Sequence, residues 1–157
     1  MAIEIERKFL LANESWRAAI SQSIPMRQGY LNREQHCSVR VRTSSEKAWL
    51  NIKSATIGAE RQEFEYEIPL ADANAMLNGL SQQPLIEKVR HLVMHQGHLW
   101  EIDEFSGDNA GLIVAEIELS HADEAFAHPA WLGKEVTMDV RYYNTNLSRH
   151  PFSHWKD

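Results

Sequence analysis

The sequence predicts an all-β domain of antiparallel strands carrying a few short helices. Three observations lead there: apolar and polar residues alternate with a period of two through most of the chain, the alternating segments end at turn residues, and their polar positions are mostly charged. Residues two apart in a strand point the same way, so each segment has one apolar and one ionic face.

Strands are expected near Ile3 to Leu11, Met26 to Leu31, Ser38 to Arg42, Lys47 to Lys53, Arg61 to Ile68, Ile86 to His95, His98 to Phe105 and Leu112 to Leu119. In the first, Ile3, Ile5 and Phe9 share one face while Glu4, Glu6 and Lys8 share the other. Arg40 and Arg42 oppose Val39 and Val41, and Asn51 and Lys53 oppose Leu50 and Ile52. Arg61, Glu63, Glu65 and Glu67 alternate with Phe64, Tyr66 and Ile68. Lys88 and Arg90 flank Val89, Glu101 and Asp103 stand among Trp100 and Ile102, and Glu116 and Glu118 alternate with Ala115, Ile117 and Leu119. Gln96-Gly97 makes a tight hairpin and Ser106 to Gly111 the next turn, so neighbours in sequence are expected to pair.

Helices are expected after Asn13, which can cap a segment with Trp16, Ala19 and Ile20, and after Leu70, where Asp72 can cap Ala75, Met76, Leu77 and Leu80. Two more are expected, at His121 to Phe126 and within Asp139 to Leu147. His150 to Asp157 is expected to be a loose tail.

At 157 residues, 43% hydrophobic and 24% charged, the chain suits one soluble domain over residues 1–157. No apolar run reaches membrane-spanning length, and Glu4, Glu6, Arg7 and Lys8 exclude a signal peptide, so a cytoplasmic protein without membrane partners is expected. A single cysteine, Cys37, excludes an internal disulfide and reads as a strand residue. The net charge of -6 disfavours nucleic acid as a partner. A monomer or homodimer is expected.

A solvated sheet face usually mixes Thr, Ser, Gln and Lys, and for one strand that explanation suffices. Here acids and bases recur strand after strand, grouped by sign. Closed with the ionic face inward, such a sheet lets acids from several strands hold divalent cations while Arg and Lys hold a polyanion. A phosphate chain repels hydroxide until cations neutralise it, so the chemistry needs both sets. Oxygen ligands without a His or Cys cluster point to Mg²⁺ or Mn²⁺ rather than Zn²⁺. His95 and His98 read as hairpin residues, and Tyr30 and Trp49 as core or rim packing. There is no phosphate loop, no Gly-x-Ser-x-Gly elbow and no dinucleotide fingerprint.

Ile3-Glu4-Ile5-Glu6-Arg7-Lys8-Phe9-Leu10 resembles the Glu-x-Glu-x-Lys opening of CYTH, or triphosphate tunnel metalloenzyme, proteins. Gln28-Gly29-Tyr30-Leu31, Val39-Arg40-Val41-Arg42, Leu50-Asn51-Ile52-Lys53, Arg61-Gln62-Glu63-Phe64-Glu65, Glu87-Lys88-Val89-Arg90, Glu116-Ile117-Glu118 and Glu135-Val136-Thr137 follow in that family's order. The resemblance implies a closed eight-stranded antiparallel barrel with helices outside and a triphosphate held within. It implies metal ligation by Glu4, Glu6, Glu116 and Glu118, with help from Glu63 and Glu65 and with Asp103 as a metal or water-shell acid. Lys8, Arg40, Arg42, Lys53, Arg61, Lys88 and Arg90 would contact phosphate, with Glu4, Glu6, Glu63, Lys88 and Glu118 closest to the chemistry. The inorganic tripolyphosphatase branch is the nearest likeness. Adenylate cyclase, thiamine or nucleoside triphosphatase, and a noncatalytic polyphosphate-binding module are the alternatives. Arg141, Tyr142 and Asn144 are suited to hydrogen bonding at a mouth of the tunnel.

Overall fold

In the computed structural model, which describes residues 3–33 and 36–155, the alternation resolves into nine strands. They are β1 (Ile3–Leu11), β2 (Ile20–Tyr30), β3 (Cys37–Ser44), β4 (Lys47–Ser54), β5 (Glu60–Ile68), β6 (Ile86–His95), β7 (His98–Phe105), β8 (Ile113–Glu118) and β9 (Leu132–Glu135), with helices α1 (Leu70–Gly79) and α2 (Asn144–Arg149). Neighbours run β5-β4-β3-β2-β6-β7-β8-β1, and a further β1–β5 pairing closes these eight strands into an antiparallel barrel. Closure pairs the two strands, β1 and β5, that would otherwise be the edges of the eight-stranded sheet. β9 is an added strand on β1. One edge of β1 is divided between two partners: Ile3, Glu4 and Ile5 pair with β5, and Phe9 and Leu11 pair with β9.

Register fixes which side chains face inward. Glu6 lies opposite Glu118, Lys8 opposite Glu116, Arg40 opposite Asn51, Lys53 opposite Glu63 and Arg90 opposite Asp103. A slip of one residue would turn the whole charged set outward.

The apolar faces are covered from outside. Ile5, Phe9, Val93, Trp100, Ile102, Ala115 and Ile117 pack with Trp16, from a 3-10 turn at Ser15–Ala19, and with Leu119 and Trp131. α1 lays Ala73 and Leu77 on Val41 and Ala48 of β3 and β4. Each fully buried Val, Leu, Ile or Phe among them stabilises by roughly 1.5–3 kcal/mol. A third cluster lies inside one end of the barrel, where Leu147 of α2 meets Tyr30, Ile86, Phe105, Leu112 and Val114.

Several local expectations change. β2 starts at Ile20 rather than Met26 because Ile20 to Ile24 pair with β6 through an irregular register. Asn13 Oδ1 accepts from the Ser15 N–H at 2.9 Å, but Glu14 rather than Asn13 holds the N-cap position, and the turn is 3-10 and ends where β2 begins. Pro69, not Asp72, precedes α1. His121 to Phe126 forms no helix: Glu124 accepts from the Ser120 N–H at 2.6 Å and from His98, and Phe126 turns onto Phe9 and Trp100. His150 to Trp155 is packed rather than loose, with a 3-10 turn at Phe152–His154, Phe152 N–H donating to Asn109 at 2.9 Å, and Trp155 against Tyr142. Lys156 and Asp157 lie outside the described residues. No helix among those residues is long and apolar enough to cross a membrane.

Candidate active site

The inward side chains of the barrel enclose a cavity of about 250 Å³. Seven cations line it, Lys8, Arg40, Arg42, Lys53, Arg61, Lys88 and Arg90, together with seven carboxylates, Glu4, Glu6, Glu63, Glu65, Glu101, Glu116 and Glu118. β1 supplies Glu4, Glu6 and Lys8, β3 the pair Arg40 and Arg42, β6 the pair Lys88 and Arg90, and β8 the pair Glu116 and Glu118, each pair two residues apart. One end is open, with Glu65 and Glu118 exposed, and Tyr143, Asn144 and Thr145 line the other.

Asp103 is placed differently from the expectation of a metal or water-shell acid. It is fully buried beneath the cavity, with Arg90 donating to both its oxygens at 2.8 and 2.9 Å. Lys88 Nζ lies 2.7 Å from Asp103 Oδ2, an ion pair by distance that lacks hydrogen-bond alignment. Both Asp103 oxygens are thus committed to holding two cations. Burial alone would raise its pKa, but Arg90 and Lys88 outweigh burial and hold it below the ordinary value. Burial, partly offset by Asp103 and reinforced by Arg90 and Arg42, pushes Lys88 down to about 8. Arg42 is pushed down to about 10 by burial and then by Arg40 and Arg90. Cations that depress one another in this way are poised for an anion.

The acids are crowded as well. Burial, then Glu116 and Glu4, raise Glu6 well above its ordinary value, and Glu6 is hydrogen-bonded to Glu116. Glu116, which burial would also raise, is held low by Lys8, by that bond, and by Arg90 and Lys88. The two carboxyls are thus pushed in opposite directions, Glu6 up and Glu116 down. Burial, then Glu4, Glu101 and Glu63, raise Glu118. Lys53 bridges Glu4 at 3.2 Å and Glu63 at 3.4 Å, and Arg42 lies 3.6 Å from Glu65.

Among the described residues no three His, Cys, Asp or Glu converge into a ready metal cage. The donor set nonetheless fits a hard divalent cation. It is all carboxylate oxygen, and burial and the crowding of Glu6 against Glu116 and Glu4, which raise the Glu6 pKa, are what a bound cation relieves.

Glu101, Ser38, Tyr143 and Thr145 join the lining without having been singled out as site residues. Ser38 was legible, two residues before Arg40 on the same face, and Glu101 likewise from its strand. Tyr143 caps α2 and Thr145 lies in its first turn, and a six-residue helix carries too little periodicity to mark them. Tyr30 lines the cavity, whereas Trp49 is half-buried opposite Arg42 and is absent from the lining. Arg141 faces outward, paired with Asp139 at 2.7 Å, rather than towards a tunnel mouth. No histidine lines the cavity: His98 bonds Glu124 at 2.6 Å, and His91 bridges Ser23 and Glu104 at 2.7 and 3.0 Å.

The CYTH domain family model matches residues 2–149. The chain is 41% identical over its full length to the full length of an inorganic triphosphatase of Acetivibrio thermocellus. It is 35% identical to an inorganic triphosphatase of Nitrosomonas europaea, over 92% of this chain and 96% of that one. A crystal structure of an inorganic triphosphatase superposes with a TM-score of 0.66 at 32% identity, covering 94% of this chain and 95% of the other.

Proposed function

The chain belongs to the CYTH domain family, and on that premise we propose that it is a triphosphatase that hydrolyses inorganic tripolyphosphate to pyrophosphate and orthophosphate. The observation that carries this reading is the single cavity in which seven cations face seven carboxylates. Cations alone would bind a phosphate chain, and carboxylates alone would bind only metal. Cyclisation of ATP is not favoured, since both curated relatives above 30% identity are inorganic triphosphatases.

Metal dependence comes with the family. We assign Mg²⁺ or Mn²⁺ from the all-oxygen donor set, held by Glu4, Glu6, Glu116 and Glu118 with Glu63 and Glu65 alongside. A bound divalent cation supplies charge neutralisation and polarisation of phosphoryl oxygens. Lys8, Arg40, Arg42, Lys53, Arg61, Lys88 and Arg90 hold the chain along the cavity and stabilise charge that builds on the departing pyrophosphate. Glu63 or Glu118 accepts a hydrogen bond from the attacking water and orients it. Asp103 we assign to positioning, because it fixes Lys88 and Arg90 from below.

Glu4→Ala and Glu6→Ala are each expected to lower tripolyphosphate turnover by about 100-fold or more while the far-UV circular dichroism of the barrel persists. Wild-type rates in both would remove these residues from the site. Lys88→Ala is expected to weaken turnover or phosphate affinity. Cyclic AMP formed from ATP and Mn²⁺, without release of orthophosphate, would favour cyclisation instead.

A further inference from the structure

Next to the charged cavity is a second one of about 400 Å³, lined in part by Asn32, Thr56, Asn146, Ser148 and Arg149. Among the described residues no carboxylate lines it, and its cations are Arg61 and Arg149. Tyr30, Ser38, Arg61, Tyr143 and Thr145 line both cavities, so these side chains make the wall between them. Tyr143 is the most tightly fixed part of that wall. Its hydroxyl donates to the Thr137 carbonyl at 2.6 Å and accepts from the Gly58 N–H at 3.0 Å, tying the C-terminal segment to the β4–β5 connection. Its ring centroid lies 5.3 Å from Lys8 Nζ and 5.1 Å from Arg61 Cζ, within cation–π range of both.

A phosphate chain too long for the charged cavity can project at either end. At the open end the exposed lining residues Glu65 and Glu118 are carboxylates, which offer a further phosphoryl group no cation of their own. At the other end it meets the Tyr143 ring. Behind that ring are room, hydroxyl and amide donors and the cation Arg149, with no acid among the described lining residues.

We propose that Tyr143 is a chain-length gauge: it closes the charged cavity to linear polyphosphates longer than three units, and removing it opens a subsite for a fourth phosphoryl group in the neighbouring cavity. This rests on the triphosphatase reading above. With the longer chain the reaction is unchanged in kind. Water oxygen bonds to the terminal phosphorus as the bridging P–O bond breaks, and tetrapolyphosphate gives tripolyphosphate and orthophosphate.

The test is the ratio of kcat/KM for tetrapolyphosphate to that for tripolyphosphate. Tyr143→Ala is expected to raise the ratio by about tenfold or more. Arg149→Glu is expected to reverse most of that rise in the Tyr143→Ala background and to leave the ratio unmoved in the wild type. A folded Tyr143→Ala protein whose ratio stays within about twofold of wild type overturns the gauge, as does an equal effect of Arg149→Glu in both backgrounds. If Tyr143→Ala does not fold, Tyr143→Leu, which removes the ring and both hydroxyl bonds but keeps an apolar side chain for packing, is expected to move the ratio in the same direction, and no movement overturns the gauge equally. A wild type inactive on tripolyphosphate defeats the functional reading alone. The gauge is then decided by calorimetric dissociation constants for the same two chains, with the same expected shift in their ratio.

Discussion

At the scale of single residues, Asp103 separates holding the site together from doing its chemistry. Removing one partner of a buried ionic group leaves the rest uncompensated, at a cost of about 3–5 kcal/mol. Asp103→Ala, which strands Arg90 and Lys88, is therefore expected to lose stability of that order in urea unfolding. Glu4→Ala, at a carboxylate on the cavity surface, should lose far less. Glu6 gives a pH signature in metal-free buffer. It keeps its proton to higher pH when folded than at its ordinary 4.5, so the folded chain binds the extra proton in that window. The contribution of Glu6 is complete below 4.5 and is lost as pH rises through the raised value. Glu6→Gln, which cannot ionise, should gain in Tm over wild type as pH rises from 4.5, and a pH-independent gap would refute the raised pKa of Glu6. Much of the inward set was legible because a period of two leaves no freedom: once Ile5 and Phe9 face out, Glu4, Glu6 and Lys8 face in. That Asp103 lies beneath the cavity rather than on its surface was not legible, since alternation gives the face of a residue but not its depth.

At the scale of elements, the strands were read best where apolar alternation runs long, as in β1, β6 and β7, whose limits coincide with those expected. β9 was missed because four residues, Leu132–Glu135, with Gly133 among them, carry too little alternation to register. Its place depends on a close approach, since a Cβ on Gly133 would come 2.8 Å from the Leu10 carbonyl oxygen. The helix expected at His121 to Phe126 lost to tertiary packing, which placed Phe126 against Phe9, Trp100 and His128. Gly29 in β2 passes under Ser81 and Leu85, where a Cβ would come within 2.8 Å of both side chains. Gly29→Ala is accordingly expected to cost about 1–3 kcal/mol by overpacking, measurable as a lower urea midpoint at unchanged slope.

For the whole molecule, the C-terminal segment belongs to the barrel. Leu147 is fully buried against Tyr30, Ile86, Phe105, Leu112 and Val114, all of which it helps keep from water. Leu147→Ala is expected to lose about 2–5 kcal/mol. Truncation after Thr137 should give an aggregation-prone or unfolded chain rather than a wider tunnel, and a truncated protein with a wild-type Tm would contradict that. Eight-strand closure itself was expected only from the resemblance, because alternation does not say whether the last strand of a sheet returns to the first.

That return sets the order in which the protein can become active during synthesis. The β1–β5 seam can zip once the first 68 residues have left the ribosome, but the opposite edge of β1 waits for β8, which carries Glu116 and Glu118. Until then Glu6 and Lys8 line a half-open trough whose charges remain hydrated. Nascent fragments ending before Ile113 should consequently neither capture phosphate chains nor sequester divalent ions, and binding should arrive as one late event when β8 docks.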